Sequence, residues 1–222
     1  MKVYCYWESI DLDCKKLFHF MEQDDEMSVK KMINRNNELK VDRVWERKYD
    51  YSQVERNIND NEVIIFCTHG TPGSILKYRG RSEENETLID ETNLHILDHK
   101  IVLSFCCSSA KKLGLKSVSE PYSCYSYVGF DKDIAYDSDD SRAKKSRGII
   151  YRAYKSAFSK AIVYAVDTRC SVGEFRKILY LMLNKESTKA ILEAADNSVH
   201  NIFAGAIEGV VSHGDQERNI FN

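Results

Sequence analysis

Two short apolar runs, each followed closely by a residue that can do chemistry, constrain this chain more than any other feature. Residues 63–67 end two positions before His69, and residues 101–105 end directly before Cys106. Runs rich in β-branched residues that do not alternate with polar ones are typical of strands buried on both faces. The two runs therefore predict interior strands of a parallel sheet that is covered by helices.

Other segments predict the elements around these two strands. Further strands are predicted at residues 3–7, 41–45 and 125–130, and helices at residues 11–21, 52–58, 148–160 and 172–183. Ser52 is expected to cap the helix that it begins, residues 24–26 and 137–141 to form loops, and residues 202–211 to form a helix or a strand pair. Alternating strands and helices through residues 1–130 favour a doubly wound sheet. We expect one α/β domain, residues 1–222, with a mostly parallel central sheet flanked by helices.

The positions of His69 and Cys106 favour cysteine chemistry. Active sites of doubly wound sheets form beyond the carboxyl ends of the strands, and both residues follow a predicted strand. Their separation of 37 positions is enough for a crossover between neighbouring parallel strands. A cysteine hydrolase needs a thiol and an imidazole that takes its proton. Residues 107–113 resemble the first turns of a helix, whose dipole would favour the Cys106 thiolate.

Composition excludes several other classes of function. The 32 basic and 34 acidic residues leave a net charge of −2, so the composition gives no indication of a basic surface that would bind nucleic acid or an anionic membrane. No apolar stretch is long enough for a signal peptide or a membrane span, so we expect a cytoplasmic protein. The seven cysteines are an odd number without a CxxC pair, which favours thiols over disulfides or a structural zinc site.

The two segments resemble those of the caspase-like cysteine peptidases, which include caspases, separase, gingipain and the CHAT domains. Residues 63–70, VIIFCTHG, look like the histidine strand of this family, and residues 101–109, IVLSFCCSS, look like its cysteine strand. The second segment is most similar to the CHAT form. Weaker similarity to CHAT domains continues through residues 127–130, 150–158, 171–175 and 211–215. The resemblance thus covers roughly residues 60–218 and implies a caspase-like fold.

Carried over to this sequence, the resemblance implies a cysteine endopeptidase (a thiol protease, a hydrolase) with Cys106 as nucleophile and His69 as its acid–base partner. The backbone N–H groups of Gly70 and Cys106 are the implied oxyanion donors. Asp131 and Asp133, which follow the next strand, are candidates for the substrate pocket. The chemistry needs no metal or organic cofactor. The implied partners are a protein or peptide substrate and a regulatory protein that activates the enzyme, with no nucleic acid and no membrane.

Three departures from the family pattern leave alternatives open. Phe105 stands where the family usually has a small residue, and Ser109 stands where glycine is common. Cys107 adjoins the nucleophile position and is the alternative nucleophile. A catalytically inactive caspase-like module for protein interaction, or a cysteine hydrolase that acts on small amides or thioesters, remain the alternative functions.

Overall fold

The computed structural model describes residues 1–23, 28–46, 49–78, 86–136 and 146–221. The strands are β1 (Lys2–Glu8), β2 (Glu38–Val44), β3 (Val63–Cys67), β4 (Gly70–Thr71), β5 (Ser74–Tyr78), β6 (Glu86–Ile89), β7 (Ile101–Ser104), β8 (Ser126–Phe130) and β9 (Val210–Gly214). The helices are α1 (Leu12–Phe18), α2 (Val29–Asn34), α3 (Ser52–Asn59), the single turn α4 (Leu115–Ser117), α5 (Arg147–Thr168), α6 (Val172–Ala194) and α7 (Ser198–Glu208). Short 3₁₀ segments cover His19–Met21 and Leu94–Leu97, and a π-helical turn covers Ala110–Gly114.

A six-stranded sheet with helices on its faces organises the described residues. Its strand order is β2-β1-β3-β7-β8-β9, and all neighbours are parallel except the pair β8 and β9. The expected α/β class and the mostly parallel central sheet are therefore confirmed. The expectation that β3 and β7 are neighbours is also confirmed. A second sheet of three antiparallel strands, β4-β5-β6, lies within the connection between them and was not predicted.

The sheet separates two apolar cores because successive side chains of a strand point to opposite faces. In β3, Ile65 and Cys67 belong to the core beneath α1, α2, α5, α6 and α7, whereas Phe66 faces the core on the side of α3. In β7, Leu103 packs in the first core and Val102 in the second. Both strands are completely buried, which explains why their sequences do not alternate with polar residues.

Most elements predicted from the sequence are present, with different bounds. The two C-terminal helices α5 and α6 extend to residues 168 and 194, well beyond the predicted ends. Residues 202–211 divide between the end of α7 and the beginning of β9. The loops predicted at residues 24–26 and 137–141 lie outside the described residues. Among the described helices, none is both long enough and apolar enough to span a membrane.

Two local predictions were wrong. Ser52 is the first residue of α3 and provides no side-chain cap, and its hydroxyl instead donates to Asp50 Oδ1 at 2.6 Å. The helix expected from Cys107 begins only at Ala110, as a π-helical turn, and Ser108 before it has a left-handed backbone with φ of 54°. No helix dipole therefore acts directly on Cys106, because a turn separates it from the first helical residue.

The aromatic side chain of Phe158 in α5 joins the helices to the sheet. Its ring lies 4.7 Å from Phe105 and 5.6 Å from Tyr154, and 6.1 Å from both Phe18 and Phe130, measured between ring centroids. All five rings are buried. Phe158 thereby connects α1, α5, β8 and the segment that leads to the two cysteines.

We expect Phe158→Ala to lower the free energy of unfolding by about 3–5 kcal/mol, because it leaves a cavity among these rings. Leu192→Ala in α6 is the matched control, since Leu192 is 76% exposed, and should change stability by less than about 0.5 kcal/mol. Urea denaturation followed by circular dichroism measures both. Equal losses for the two variants would contradict this role of Phe158.

Candidate active site

His69 lies just beyond the carboxyl end of β3 and is held among polar groups from a neighbouring strand and helix. Its side chain is nearly buried. The Nε2 atom lies 3.4 Å from Cys14 Sγ, 3.7 Å from Asp11 Oδ2 and 3.9 Å from Glu8 Oε2. One nitrogen of the imidazole therefore faces a thiol and two carboxylates.

The carboxylates reach His69 because β1 is the parallel neighbour of β3. Trp7 pairs with Cys67, so Glu8, the last residue of β1, ends at the same edge of the sheet as His69. Asp11 caps the N-terminus of α1 and accepts hydrogen bonds from the backbone N–H groups of residues 13 and 14. Its cap orients Cys14, one turn into the helix, towards the imidazole.

Glu8 is the least solvated of these groups. Its side chain is fully buried, and Oε1 accepts a hydrogen bond from the backbone N–H of Asp11 at 2.7 Å. Oε2 has no hydrogen-bond partner among the described residues. A buried oxygen of this kind costs about 1–3 kcal/mol, and more when it is charged. Burial accordingly raises the pKa of Glu8.

The pKa values of Asp11 and Cys14 are shifted in opposite directions by this environment. The His69 ring, helped by the capped backbone N–H groups, lowers the pKa of Asp11 to about 2 against the opposing effect of burial. Burial, followed by the charges of Glu8 and Asp11, raises the pKa of Cys14 well above its ordinary value. Near neutral pH the edge therefore carries the Asp11 carboxylate and the neutral Cys14 thiol.

The pairing register of β3 and β7 distinguishes the two adjacent cysteines. Val63 pairs with Ile101, an offset of 38 residues, and the last pair, Phe66 with Ser104, has the same offset. If the same offset continues beyond the paired residues, His69 lies opposite Cys107. Side-chain alternation gives the same result, since Phe105 and Cys107 pack against the core beneath α1 and α5, whereas Cys106 belongs to the opposite core.

The environment of Cys106 is that of a core residue. Its side chain has no exposed surface, and Sγ contacts the carbonyl oxygen of Phe66 at 3.8 Å. Burial raises the pKa of the Cys106 thiol to about 12. A thiolate at this position is therefore strongly disfavoured at neutral pH.

Cys107 lies in the more accessible place. All seven cysteines are in the described residues, and Cys107 is the one that is not buried. Its Sγ accepts a hydrogen bond from the backbone N–H of Ile134 at 3.3 Å. Cys107 and His69 line one narrow cavity of about 10 Å³, which has room for about one water molecule. The remaining lining residues are Cys14, Leu17, Phe18, Thr68, Phe105, Ile134 and Tyr136.

A chain of buried hydroxyl groups holds the turn that carries both cysteines. Tyr127 donates from its hydroxyl to Ser109 Oγ at 3.0 Å, and Ser109 Oγ donates to the carbonyl oxygen of Cys106 at 3.2 Å. Ser104 Oγ lies 2.8 Å from Ser109 Oγ. Ser109, which stands where the family commonly has glycine, thus has a structural role here.

Gly70 packs directly against the cysteine turn. A Cβ atom at this position would lie 2.7 Å from the carbonyl oxygen of Cys107 and 2.8 Å from Cys106 Cβ, closer than real Cβ contacts. The structure thus places Gly70, the residue after His69, in contact with both cysteines.

The two aspartates that the resemblance implies for the substrate pocket lie elsewhere. Asp133 accepts a hydrogen bond from Ser108 Oγ at 2.6 Å and is exposed. Asp131 is half-buried, and neither residue is among those that line the cavity of His69 and Cys107. From the same segment it is Ile134 and Tyr136 that line it, so the described wall of the cavity is apolar on this side.

Sequence reasoning missed Glu8, Asp11 and Cys14, which surround the imidazole of His69, and it preferred Cys106 to Cys107. Glu8 follows an aromatic strand and Asp11 precedes a helix, so each has an ordinary explanation as a strand end or a cap. The signal for Cys107 was present in the parity of the residue numbers. His69 and Cys107 continue the odd-numbered positions of their strands, and Cys106 continues the even-numbered ones.

We expect Gly70→Ala to lower stability by about 1–3 kcal/mol, because the added methyl group must displace the cysteine turn. Gly73→Ala is the matched control, since a Cβ atom there meets nothing within 4 Å, and its effect should stay within about 1 kcal/mol. Thermal unfolding of both variants measures the difference. Two equally stable variants would show that the contact at Gly70 does not exist in solution.

Asp11→Asn should make the chain less sensitive to acid. Asparagine caps a helix as well as aspartate does, so this change removes the charge alone. The lowered pKa of Asp11, about 2 against an ordinary 3.8, stabilises the fold above pH 4 by about 2 kcal/mol, and this contribution is lost as the pH falls from 4 to 2. Urea denaturation at pH 6 and pH 2 should show a difference between wild type and variant only at pH 6; a difference independent of pH would contradict the assignment.

Comparisons with known proteins add no support to the resemblance, which therefore rests on the histidine and cysteine segments alone. No protein-family model matches the chain, and no curated protein matches it significantly. The histidine and cysteine segments at the edge of the parallel sheet, together with the geometry described above, are therefore what supports a function.

Proposed function

We propose that the chain is a cysteine peptidase with a caspase-like fold, in which Cys107 is the nucleophile and His69 the acid–base partner. The observation that carries the proposal is that these two side chains line one cavity at the carboxyl ends of adjacent parallel strands. Cys106, which the sequence favours, is the alternative nucleophile. Its complete burial and its pKa of about 12 make it the weaker candidate.

Glu8 and Asp11 supply the third component of such a site, the acid that orients the histidine. The carboxylates of Glu8 and Asp11 face His69 Nε2, so a proton on that nitrogen is stabilised there. The lone pair then stays on Nδ1, since the partner of one ring nitrogen decides the protonation of the other. Nδ1 is then the nitrogen that can take the proton of the Cys107 thiol, once this thiol turns from the carbonyl oxygen of Ile134, which it contacts at 3.9 Å.

The reaction proceeds through an acyl-enzyme. The Cys107 thiolate attacks the carbonyl carbon of the scissile bond while the imidazolium of His69 holds the proton. Backbone N–H groups near Gly70 stabilise the oxyanion, and His69 returns the proton to the leaving amine as the carbon–nitrogen bond breaks. A water molecule, deprotonated by His69, then releases the acid and restores the thiol.

The narrow cavity accords with a peptidase that a partner protein activates. With a volume of about 10 Å³, room for about one water molecule, it is far smaller than a typical ligand pocket. Binding a peptide side chain requires it to widen, and a regulatory partner could supply that change. The same narrowness favours the second candidate, a catalytically inactive module that serves in protein interaction.

Covalent labelling distinguishes these possibilities. Peptidyl acyloxymethyl ketones that end in Arg, Lys or Asp should modify the wild-type protein once, and peptide mass spectrometry should locate the adduct on Cys107. Cys107→Ala should abolish the adduct, and His69→Ala should slow its formation by roughly a hundredfold or more. Cys106→Ala is the matched control and should be labelled like the wild type.

The contrary results are equally specific. An adduct that disappears in Cys106→Ala and persists in Cys107→Ala would transfer the nucleophile to Cys106. No adduct in the wild type, even with a candidate regulatory protein present, while a small alkylating reagent still reaches Cys107, would reject the peptidase in favour of the inactive module. Circular dichroism spectra of all variants establish that each is folded.

A further inference from the structure

The buried cluster of Glu8, Cys14 and His69 has the composition of a metal site. It offers one carboxylate oxygen, one sulfur and one imidazole nitrogen, and these ligand atoms all lie within 4.8 Å of one another. Each of the three residues is buried. Carboxylate, thiolate and imidazole are together the ligands of Zn²⁺ in proteins.

The distances within the cluster fit a tetrahedral ion. Zinc bonds of about 2.3 Å to sulfur and about 2.0–2.2 Å to nitrogen or oxygen place tetrahedral ligand atoms about 3.4–3.6 Å apart. Cys14 Sγ lies 3.4 Å from His69 Nε2, and Glu8 Oε2 lies 3.9 Å from the same nitrogen. The third separation, between Cys14 Sγ and a Glu8 carboxylate oxygen, is at most 4.8 Å, so the ligands would have to move closer by up to about 1 Å to complete the geometry.

A second observation points to a ligand at this place. Glu8 Oε2 is fully buried, lies towards His69 and has no hydrogen-bond partner in the described part of the chain. A cation bound between the three residues would satisfy this oxygen. Asp11 Oδ2, 3.7 Å from His69 Nε2, adds negative charge next to the cluster.

We propose that Glu8, Cys14 and His69 bind one Zn²⁺ ion, and that the bound ion switches the active site off. The thiolate and carboxylate balance the charge of the ion, and three protein ligands leave a fourth position for water. The regulatory part rests on the proposed function of His69. Zinc takes the lone pair of Nε2, so the ring proton stays on Nδ1, and Nδ1 then has no lone pair with which to accept the proton of Cys107.

The first test measures binding in the wild-type protein itself. A chromophoric chelator in competition should report one high-affinity Zn²⁺ ion per chain. X-ray absorption of the zinc-loaded protein should show one sulfur at about 2.3 Å and otherwise nitrogen or oxygen ligands at about 2.0–2.2 Å. Absence of binding, or a site with two or more sulfurs, would overturn the proposal.

Variants then identify the ligands. Cys14→Ser and Glu8→Gln should each weaken Zn²⁺ binding by roughly tenfold or more, since even changes outside the coordination sphere reach that size. Cys124→Ser is the matched control, because Cys124 is buried on the opposite face of the sheet, and it should bind zinc like the wild type. Equal affinity of all three variants would overturn the assignment.

A final measurement separates this inference from the proposed function. Zinc should block modification of Cys107 by the peptidyl ketone, and a chelator should restore it. Labelling that zinc leaves unchanged would reject the switch while the peptidase proposal stands. Zinc binding with the predicted ligands, in a protein that no ketone labels, would support the metal site and reject both the peptidase and its regulation.

Discussion

The parallel pairing of β3 with β7 is the constraint on which the rest of the site depends. These strands are central and completely buried, so their register is fixed by the packing of apolar side chains on both faces. A shift of one residue would move every side chain of a strand to the other core. The same register decides which cysteine can share a cavity with His69.

A second consequence of the sheet is the cluster of polar groups at its carboxyl edge. Strand β1 ends beside β3, and it therefore brings a fully buried carboxylate to an imidazole at 3.9 Å. The unsatisfied oxygen of Glu8 weakens the fold unless something else compensates it. The orienting carboxylate of a catalytic histidine and the ligand of a metal ion both account for such an oxygen, and both use Nε2 of His69. The two proposed uses therefore exclude each other, and the regulation that we propose follows from this exclusion.

Much of the fold could be predicted from the sequence because buried strands and amphipathic helices have characteristic local patterns of apolar residues. The continuous apolar runs at residues 63–67 and 101–105 predicted two interior strands, and their order predicted parallel neighbours. The small sheet β4-β5-β6 was missed, since its first strand has only two residues. The cap at Ser52 and the helix at Cys107 were wrong because short polar segments admit several turns, and contacts with distant residues decide among them. For Cys107, one of these contacts is the hydroxyl chain that begins at Tyr127.

The sequence by itself determined the α/β class, the interior strands and the presence of histidine and cysteine at their ends. It did so because burial imposes composition and periodicity on neighbouring residues. Only the tertiary structure decided which thiols share a cavity with the histidine and which acids surround it. Those relations join residues from three separate strands, and the pairing register that relates them depends on the packing of the whole sheet.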